Sequence, residues 1–117
     1  MTIKEISDKH HVSQTTLRYY ENIGIISPVT RKNGIRDYQD SDEKAIETVL
    51  EMRKAGLSLK SIERYLSYKN DGEASRTKRI EILKRERESL LRRKHEIEGY
   101  LEHLEWKIRE LTESSNN

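Results

Sequence analysis

The chain contains no cysteine, and it has a single proline, no phenylalanine and only five glycines among its 117 residues. Without thiols it can form no disulfide, no thiolate metal site and no thiol redox sensor, and an intracellular location is the default expectation. Long apolar runs are also missing. No run approaches the roughly 20 residues of a membrane span, and residues 1–5 lack the apolar core of a secretory signal. We therefore expect a soluble, cytoplasmic protein with no membrane partner.

The sequence also lacks the motifs that enzymes commonly use for catalysis. The chain has no glycine-rich phosphate loop and no cluster of His, Asp and Glu on one predicted element. His10 and His11 are adjacent and cannot share a helix face. His95 and His103 lie eight residues apart, too far to hold one ion within one chain. These observations predict no catalytic residue, no metal site and no cofactor.

Apolar residues make up 32% of the chain and charged residues 38%, so little core is available per residue. Part of the core is therefore expected to be completed by a second copy of the chain. The composition changes near Asp71, after about 70 residues that suit one compact head. We predict a head over residues 1–70, a long helix over 75–113 and a disordered tail over 114–117.

Two short helices joined by a tight turn are predicted at the start of the head. Thr2 with Glu5 forms a capping box, in which each side chain satisfies a free backbone amide at a helix start. Ser13 is a favourable N-cap for a second helix over residues 14–22, which Gly24 ends. This arrangement is a helix-turn-helix.

The second helix has two distinct faces. Leu17 and Tyr20 lie three residues apart and point the same way, as core residues do. The opposite face carries a polar and aromatic set that is unusual to leave in water. Its members are Thr15, Arg18, Tyr19 and Asn22. This face is the candidate reading surface for DNA.

A β-hairpin is predicted after this helix. Asn33-Gly34 is a strong hairpin signal because both residues accept a positive φ, and short extended stretches flank the pair. The hairpin is basic through Arg31, Lys32 and Arg36. A basic hairpin that follows a helix-turn-helix is a wing, so residues 1–70 are predicted to form a winged helix-turn-helix DNA-binding domain.

Two further helices complete the predicted head. Asp40 and Glu43 offer a capping box for a third helix, and Ser58 caps a fourth. The stripe expected on the third helix consists of Ala45, Ile46, Val49, Leu50 and Arg53, and the fourth helix is expected to bury Leu59, Ile62 and Leu66. A break over residues 70–72 precedes a final helix capped by Ser75. The predicted fold class is therefore mainly α.

The final helix carries heptads that are typical of a coiled coil. Ten positions form its apolar edge, which we call the heptad seam: Ile80, Leu83, Arg87, Leu90, Lys94, Ile97, Leu101, Leu104, Ile108 and Leu111. The long stems of the two basic members allow their charges to reach water. A helix of roughly 55 Å, at 1.5 Å per residue, is too long to fold back on so small a head. The seam therefore predicts a homodimer.

The charges along this helix favour an antiparallel partner. Residues 76–94 carry nine basic and three acidic side chains, a sum of +6, whereas residues 95–113 carry two basic and six acidic ones, a sum of −4. A parallel pair would place like charges together, and an antiparallel pair places opposite charges together. With Ile80 opposite the partner's Leu111, every a residue of the heptad seam meets a d residue.

The sequence resembles the MerR family of bacterial regulators over residues 2 to about 68. Residues 15–26, Thr-Thr-Leu-Arg-Tyr-Tyr-Glu-Asn-Ile-Gly-Ile-Ile, are similar to the recognition helix of that family. Residues 31–38 resemble its first wing, and residues 52–59 resemble the start of its second wing. The resemblance implies a homodimer on a pseudo-palindromic promoter operator in double-stranded DNA. It also implies that the activated dimer bends and untwists an over-long promoter spacer so that RNA polymerase engages both of its recognition elements.

The same resemblance implies roles for individual residues. Thr16 and Arg18 would meet base edges or phosphates, Tyr19 would hold a phosphate, and Lys60 would grip the backbone from the second wing. The full predicted DNA-binding set is Ser13, Thr15, Thr16, Arg18, Tyr19, Arg31, Lys32, Asn33, Gly34, Arg36, Tyr38 and Lys60.

Departures from the family leave the effector unassigned. Family members that sense soft metals or electrophiles do so through cysteines, and Glu51 stands where the electrophile-responsive branch has one. Drug-responsive members add a large C-terminal ligand domain, and the sequence leads us to expect none after the final helix. Two other classes of protein stay open. One is an architectural DNA-bending or recombination accessory protein with the same winged head, and the other is a coiled-coil adaptor whose basic head binds protein or RNA.

Overall fold

The computed structural model describes residues 1–68 and 72–114, which are helical apart from one two-stranded hairpin. The chain divides into two units, Met1–Asp71 and Gly72–Asn117. The elements of the first unit are α1 (Ile3–His10), α2 (Gln14–Asn22), β1 (Arg31–Lys32), β2 (Ile35–Arg36), α3 (Asp40–Lys54) and α4 (Leu59–Ser67). The second unit is the single helix α5 (Gly72–Ser114). The prediction of a mainly α chain, with a winged helix-turn-helix head before a long helix, is confirmed.

The caps predicted for α1 and α2 are present. The Thr2 hydroxyl accepts from the Glu5 amide at 3.1 Å, and the Glu5 carboxylate accepts from the Thr2 amide at 3.1 Å. Ser13 accepts from the Thr16 amide at 3.0 Å and so begins α2. Gly24, with φ +81°, follows the end of α2. These local bonds fix the two helices at the positions that the sequence indicates.

The core of the head contains the apolar faces of its four helices. Tyr20 and Leu17 are buried on α2, as predicted, and Ile62 is fully buried on α4. The remaining buried core residues are Ile6, Ile25, Ile26, Val29, Tyr38, Ile46, Val49 and Leu57. Leu50, Leu59 and Leu66 are only partly buried at its margin. This core holds α2 with its polar face outward.

The N-terminus of α3 differs from the prediction by one residue. The N-cap is Gln39, whose backbone amide donates to the Asp42 carboxylate at 2.8 Å. The expected box of Asp40 with Glu43 was wrong because the Glu43 carboxylate instead binds Lys9 and His10 of α1.

Helix α5 also begins earlier than predicted, at Gly72 instead of at a cap on Ser75. Ser75 lies within the helix and is buried. Glu73 and Ala74 favour the earlier start, because both are good helix formers and a carboxylate suits the first turn. Ser114 of the predicted tail still belongs to the helix. The predicted break at Asn70 and Asp71 and the tail over 115–117 lie outside the described residues.

The heptad seam is a row of exposed apolar side chains on α5. Its eight apolar members are each 39–62% exposed within one chain. Arg87 and Lys94 are exposed between them. Within the ranges 1–68 and 72–114, no helix combines the length and the apolar character that crossing a membrane requires.

Candidate nucleic-acid interface

Helix α2 presents most of its predicted reading residues to solvent. Ser13, Thr15, Arg18 and Tyr19 are exposed and Thr16 is partly exposed. Arg18 makes a long contact of 3.5 Å with the side-chain oxygen of Gln14, one turn earlier. Since this contact is weak, the guanidinium stays available to another acceptor.

The wing is a short hairpin with a tight two-residue turn. Arg31 pairs with Arg36 and Lys32 with Ile35 in antiparallel register. Asn33 and Gly34 both have positive φ, +54° and +78°, as the predicted turn requires. The Arg31 guanidinium donates to the Gly34 carbonyl at 3.1 Å. Residues 31–34 are all exposed, so the basic tip of the wing faces solvent.

Glu21 connects the end of α2 to the wing. One carboxylate oxygen accepts from Arg36 Nε at 2.8 Å, and the other accepts from the Val29 amide at 3.2 Å. Burial by itself raises the pKa of Glu21, but these hydrogen bonds and the nearby arginine charges outweigh it, and the pKa lies below its usual 4.5. The carboxylate is therefore ionised at neutral pH and holds the wing against α2.

Sequence reasoning assigned no role to Glu21. The signal was present, because Glu21 is the sole acidic residue among the four arginines and lysines between residues 13 and 36. Its partner Arg36 was predicted to contact DNA, and the structure places its side chain partly buried beside Glu21. Nε is used in this ion pair, and the guanidinium has further donors on its two terminal nitrogens.

Tyr38 is a correction to the predicted DNA-binding set. Its side chain lies in the core with the residue only 3% exposed, so it cannot contact DNA in this conformation. The hydroxyl is buried and has no hydrogen-bond partner within the described part of the chain, and burial raises the pKa of this phenol. The Tyr38 amide donates to the Met1 carbonyl at 2.7 Å, which ties the end of the wing to the start of the chain.

Comparison with known families decides what this head is. The family described as MerR HTH family regulatory protein matches residues 1–69. The chain belongs to the MerR family. Its members are DNA-binding transcription regulators and not enzymes, which agrees with the prediction from sequence.

Several MerR family proteins are similar to this chain. The HTH-type transcriptional regulator AdhR of Bacillus subtilis is 40% identical over 92 residues, which are 78% of this chain and 66% of AdhR. The match therefore spans slightly less than two thirds of that relative. A MerR family regulator from Listeria monocytogenes is 38% identical in its crystal structure, with a TM-score of 0.71 over 92% of this chain and 83% of that one.

A further similar structure contains DNA. HiNmlR, a MerR family regulator that lacks the sensor domain, was crystallised bound to promoter DNA. It is 26% identical to this chain, with a TM-score of 0.65 over 92% of this chain and 86% of HiNmlR. The winged head and the long helix are thus shared with a regulator whose DNA complex is known.

The predicted second-wing residue of this MerR protein lies on a separate element. Lys60 is exposed in the first turn of α4, next to the Ser58 cap. Arg53 donates to the Leu57 carbonyl at 2.9 Å and braces the preceding turn. Across residues 1–68 and 72–114, no hydrogen bond or ion pair ties Lys60 to α2 or to the wing. The structure joins α2 to the first wing through Glu21, and Lys60 lies on a different helix, α4.

Proposed function

We propose that this MerR family protein is a cytoplasmic, promoter-specific transcription regulator that binds its operator as a homodimer. Each head sets α2 in the major groove and its wing on the adjacent backbone. The dimer distorts an over-long promoter spacer in response to an effector, so that RNA polymerase engages both of its recognition elements. The observation that carries this proposal is the exposed polar face of α2, held by Glu21 beside an exposed basic hairpin.

The residues of this interface divide into two chemical classes. Arg18 has a planar guanidinium that suits bidentate bonds to guanine, and Thr15 and Thr16 offer short hydroxyl donors beside it. Arg31 and Lys32 at the tip of the wing suit phosphates, which position the protein without reading sequence. Specificity is therefore expected from α2, and the dependence of affinity on salt is expected largely from the wing.

The homodimer is supported by the heptad seam. Long rows of exposed apolar side chains are rare on monomers and mark protein contacts. A second α5 would cover the row, and the opposite charges of the two halves favour an antiparallel pair. HiNmlR, bound to promoter DNA without a sensor domain, supports DNA binding by a chain of this design.

Operator binding by alanine variants tests the proposal. A duplex from the protein's own upstream region, located by footprinting, is titrated at two salt concentrations. Arg18→Ala should weaken specific binding by about 1 to 3 kcal/mol, whereas Arg31→Ala should weaken all sequences similarly and reduce the salt slope by about 1. Lys44→Ala, an exposed charge of the same sign on α3, is the control and should bind normally.

Transcription in vitro separates a regulator from an architectural DNA-bending protein. A template with the natural spacer should respond to the protein, and a template whose spacer is shortened to the usual length should not. Unchanged operator affinity in both arginine variants would contradict the interface. DNA bending with no change in transcript would favour the architectural function.

A further inference from the structure

One imidazole and two carboxylates converge where the end of α1 meets α3. His10 is the last residue of α1, and Glu43 and Glu47 lie one turn apart on α3. One ligand atom from each of the three lies within 4.8 Å of the others. His10 Nε2 is 2.6 Å from a Glu43 oxygen and 3.9 Å from a Glu47 oxygen. Sequence reasoning did not anticipate this cluster, because its members come from two helices.

Two of the three donors are sheltered, and the third is open to solvent. The side chains of His10 and Glu43 are 13% and 14% exposed, whereas Glu47 is 54% exposed. A cavity of about 610 Å³ adjoins the cluster, and both acidic and basic side chains line it: Lys9, His10, His11, Glu47, Leu50, Glu51, Arg53 and Lys54. The cluster therefore has a fixed inner side and an accessible outer side.

A cationic side chain already lies at the cluster. Lys9 Nζ is 2.8 Å from the same Glu43 oxygen that His10 contacts. An incoming cation must displace the Lys9 ammonium from Glu43, and a proton on His10 Nε2 must move to Nδ1 or leave to solvent before Nε2 can bind a metal.

We propose that His10, Glu43 and Glu47 bind one divalent transition-metal ion of the zinc class, with Lys9 as the competing cation. Imidazole nitrogen and carboxylate oxygen are regular zinc ligands at about 2.0 to 2.2 Å. A tetrahedral ion at that distance separates its ligands by about 3.3 Å, which lies between the separations of 2.6 and 3.9 Å found for His10. Water from the cavity completes the coordination. Soft ions are disfavoured because the chain has no thiol.

The bound ion would cross-link the first helix of the helix-turn-helix to α3. Because the donors come from two elements, they converge only in the folded head, and the metal therefore stabilises that fold by mass action. This inference is independent of the proposed operator binding. It concerns the opposite end of α1 from the capped N-terminus and uses none of the predicted DNA-binding residues.

Metal titration of the full chain without DNA tests the site. After chelator treatment, Co²⁺ is added and visible absorption recorded, and Zn²⁺ binding is measured by calorimetry. One ion per chain should bind and raise the thermal midpoint. Glu47→Gln should weaken binding by about tenfold or more. Glu51→Gln is the matched control, since it lies in the same cavity wall outside the cluster, and it should bind normally.

Lys9→Gln is the most discriminating variant. Removing the competing ammonium should tighten metal binding, whereas most surface substitutions should leave the metal affinity unaltered. No binding at millimolar metal, or equal affinity in the wild type and in Glu47→Gln, would overturn the site. Binding that survives Glu47→Gln and is lost with His103→Asn would place the ion on α5 and overturn it as well. Circular dichroism confirms that each variant folds. Among the three ligands, Glu47 suits substitution because its exposed side chain is not needed for packing.

Discussion

At the scale of single residues, Glu21 connects the wing to α2. Glu21→Gln keeps the size of the side chain and removes its charge, so the bond to Arg36 is weakened. We expect the free energy of unfolding at pH 7 to fall by about 1 kcal/mol, as for a charge-assisted hydrogen bond partly retained. Urea unfolding at one fixed protein concentration measures it. Glu63→Gln, an exposed residue of α4, is the control and should change little.

Lowering the pH should remove the stabilisation that the ion pair of Glu21 with Arg36 provides. The folded-state pKa of Glu21 lies below its usual 4.5, so the unfolded chain binds the proton more tightly than the folded one. The stabilisation is therefore complete above about pH 5 and is lost as the pH falls through the lower, folded-state pKa. The difference in stability between the wild type and Glu21→Gln should shrink as the pH falls below about 5. A constant difference over that range would show that the carboxylate contributes nothing through its charge.

Residues of the candidate interface were predictable from the sequence to different degrees. The exposure of Arg18 and Tyr19 followed from helical spacing alone, because Leu17 and Tyr20 are buried on the opposite face. Tyr38 was misjudged because it follows a strand of only two residues, where alternation gives no firm indication of the buried side. The ion pair of Glu21 with Arg36 joins residues 15 apart, and no local pattern encodes such a contact.

At the scale of elements, the turn of the wing depends on glycine. Gly34 has φ +78°, and a Cβ added there would meet nothing within 4 Å, so substitution tests backbone strain alone. Gly34→Ala should lower the free energy of unfolding by about 1 kcal/mol, the cost of a left-handed conformation. Chemical denaturation measures the change.

Gly99 offers the matched control within α5. A Cβ there also meets nothing within 4 Å, yet the residue is helical. Gly99→Ala should therefore raise the free energy of unfolding by about 0.5 to 1 kcal/mol. Opposite signs for the same substitution would separate backbone conformation from packing, and equal signs would contradict the turn assigned to the wing.

The boundaries of the elements show where local rules suffice. Thr2, Ser13 and Ser58 each begin a helix as predicted, because one side chain and one backbone amide make the cap. The start of α3 moved to Gln39 because Glu43 has stronger partners on α1, which is a tertiary contact. Sequence patterns could not predict that the Glu43 carboxylate would bind cationic side chains of another helix instead of capping its own.

At the scale of the whole molecule, a single chain leaves the heptad seam of α5 uncovered. The apolar members of the heptad seam stay 39–62% exposed, whereas the head has a closed core. Parallel pairing would gather the +6 halves of both helices, and repulsion among so many charges would oppose it. Antiparallel pairing places each +6 half against a −4 half and sets every a residue of the heptad seam opposite a d residue.

The orientation can be measured by crosslinking, because the chain has no cysteine and every introduced thiol is unique. In the antiparallel register, exposed Lys84 lies beside the partner's Glu105. A mixture of Lys84→Cys and Glu105→Cys chains should therefore crosslink through a short bismaleimide, whereas Lys84→Cys alone should not.

Adding Leu90→Asp and Leu101→Asp, which face each other in this register, would bury carboxylates without partners and should abolish the crosslink and leave monomers. Efficient crosslinking of Lys84→Cys to itself would show a parallel pair instead. That outcome would bring both heads to the same end of the paired helices, which does not fit two well-separated half-sites of a pseudo-palindromic operator.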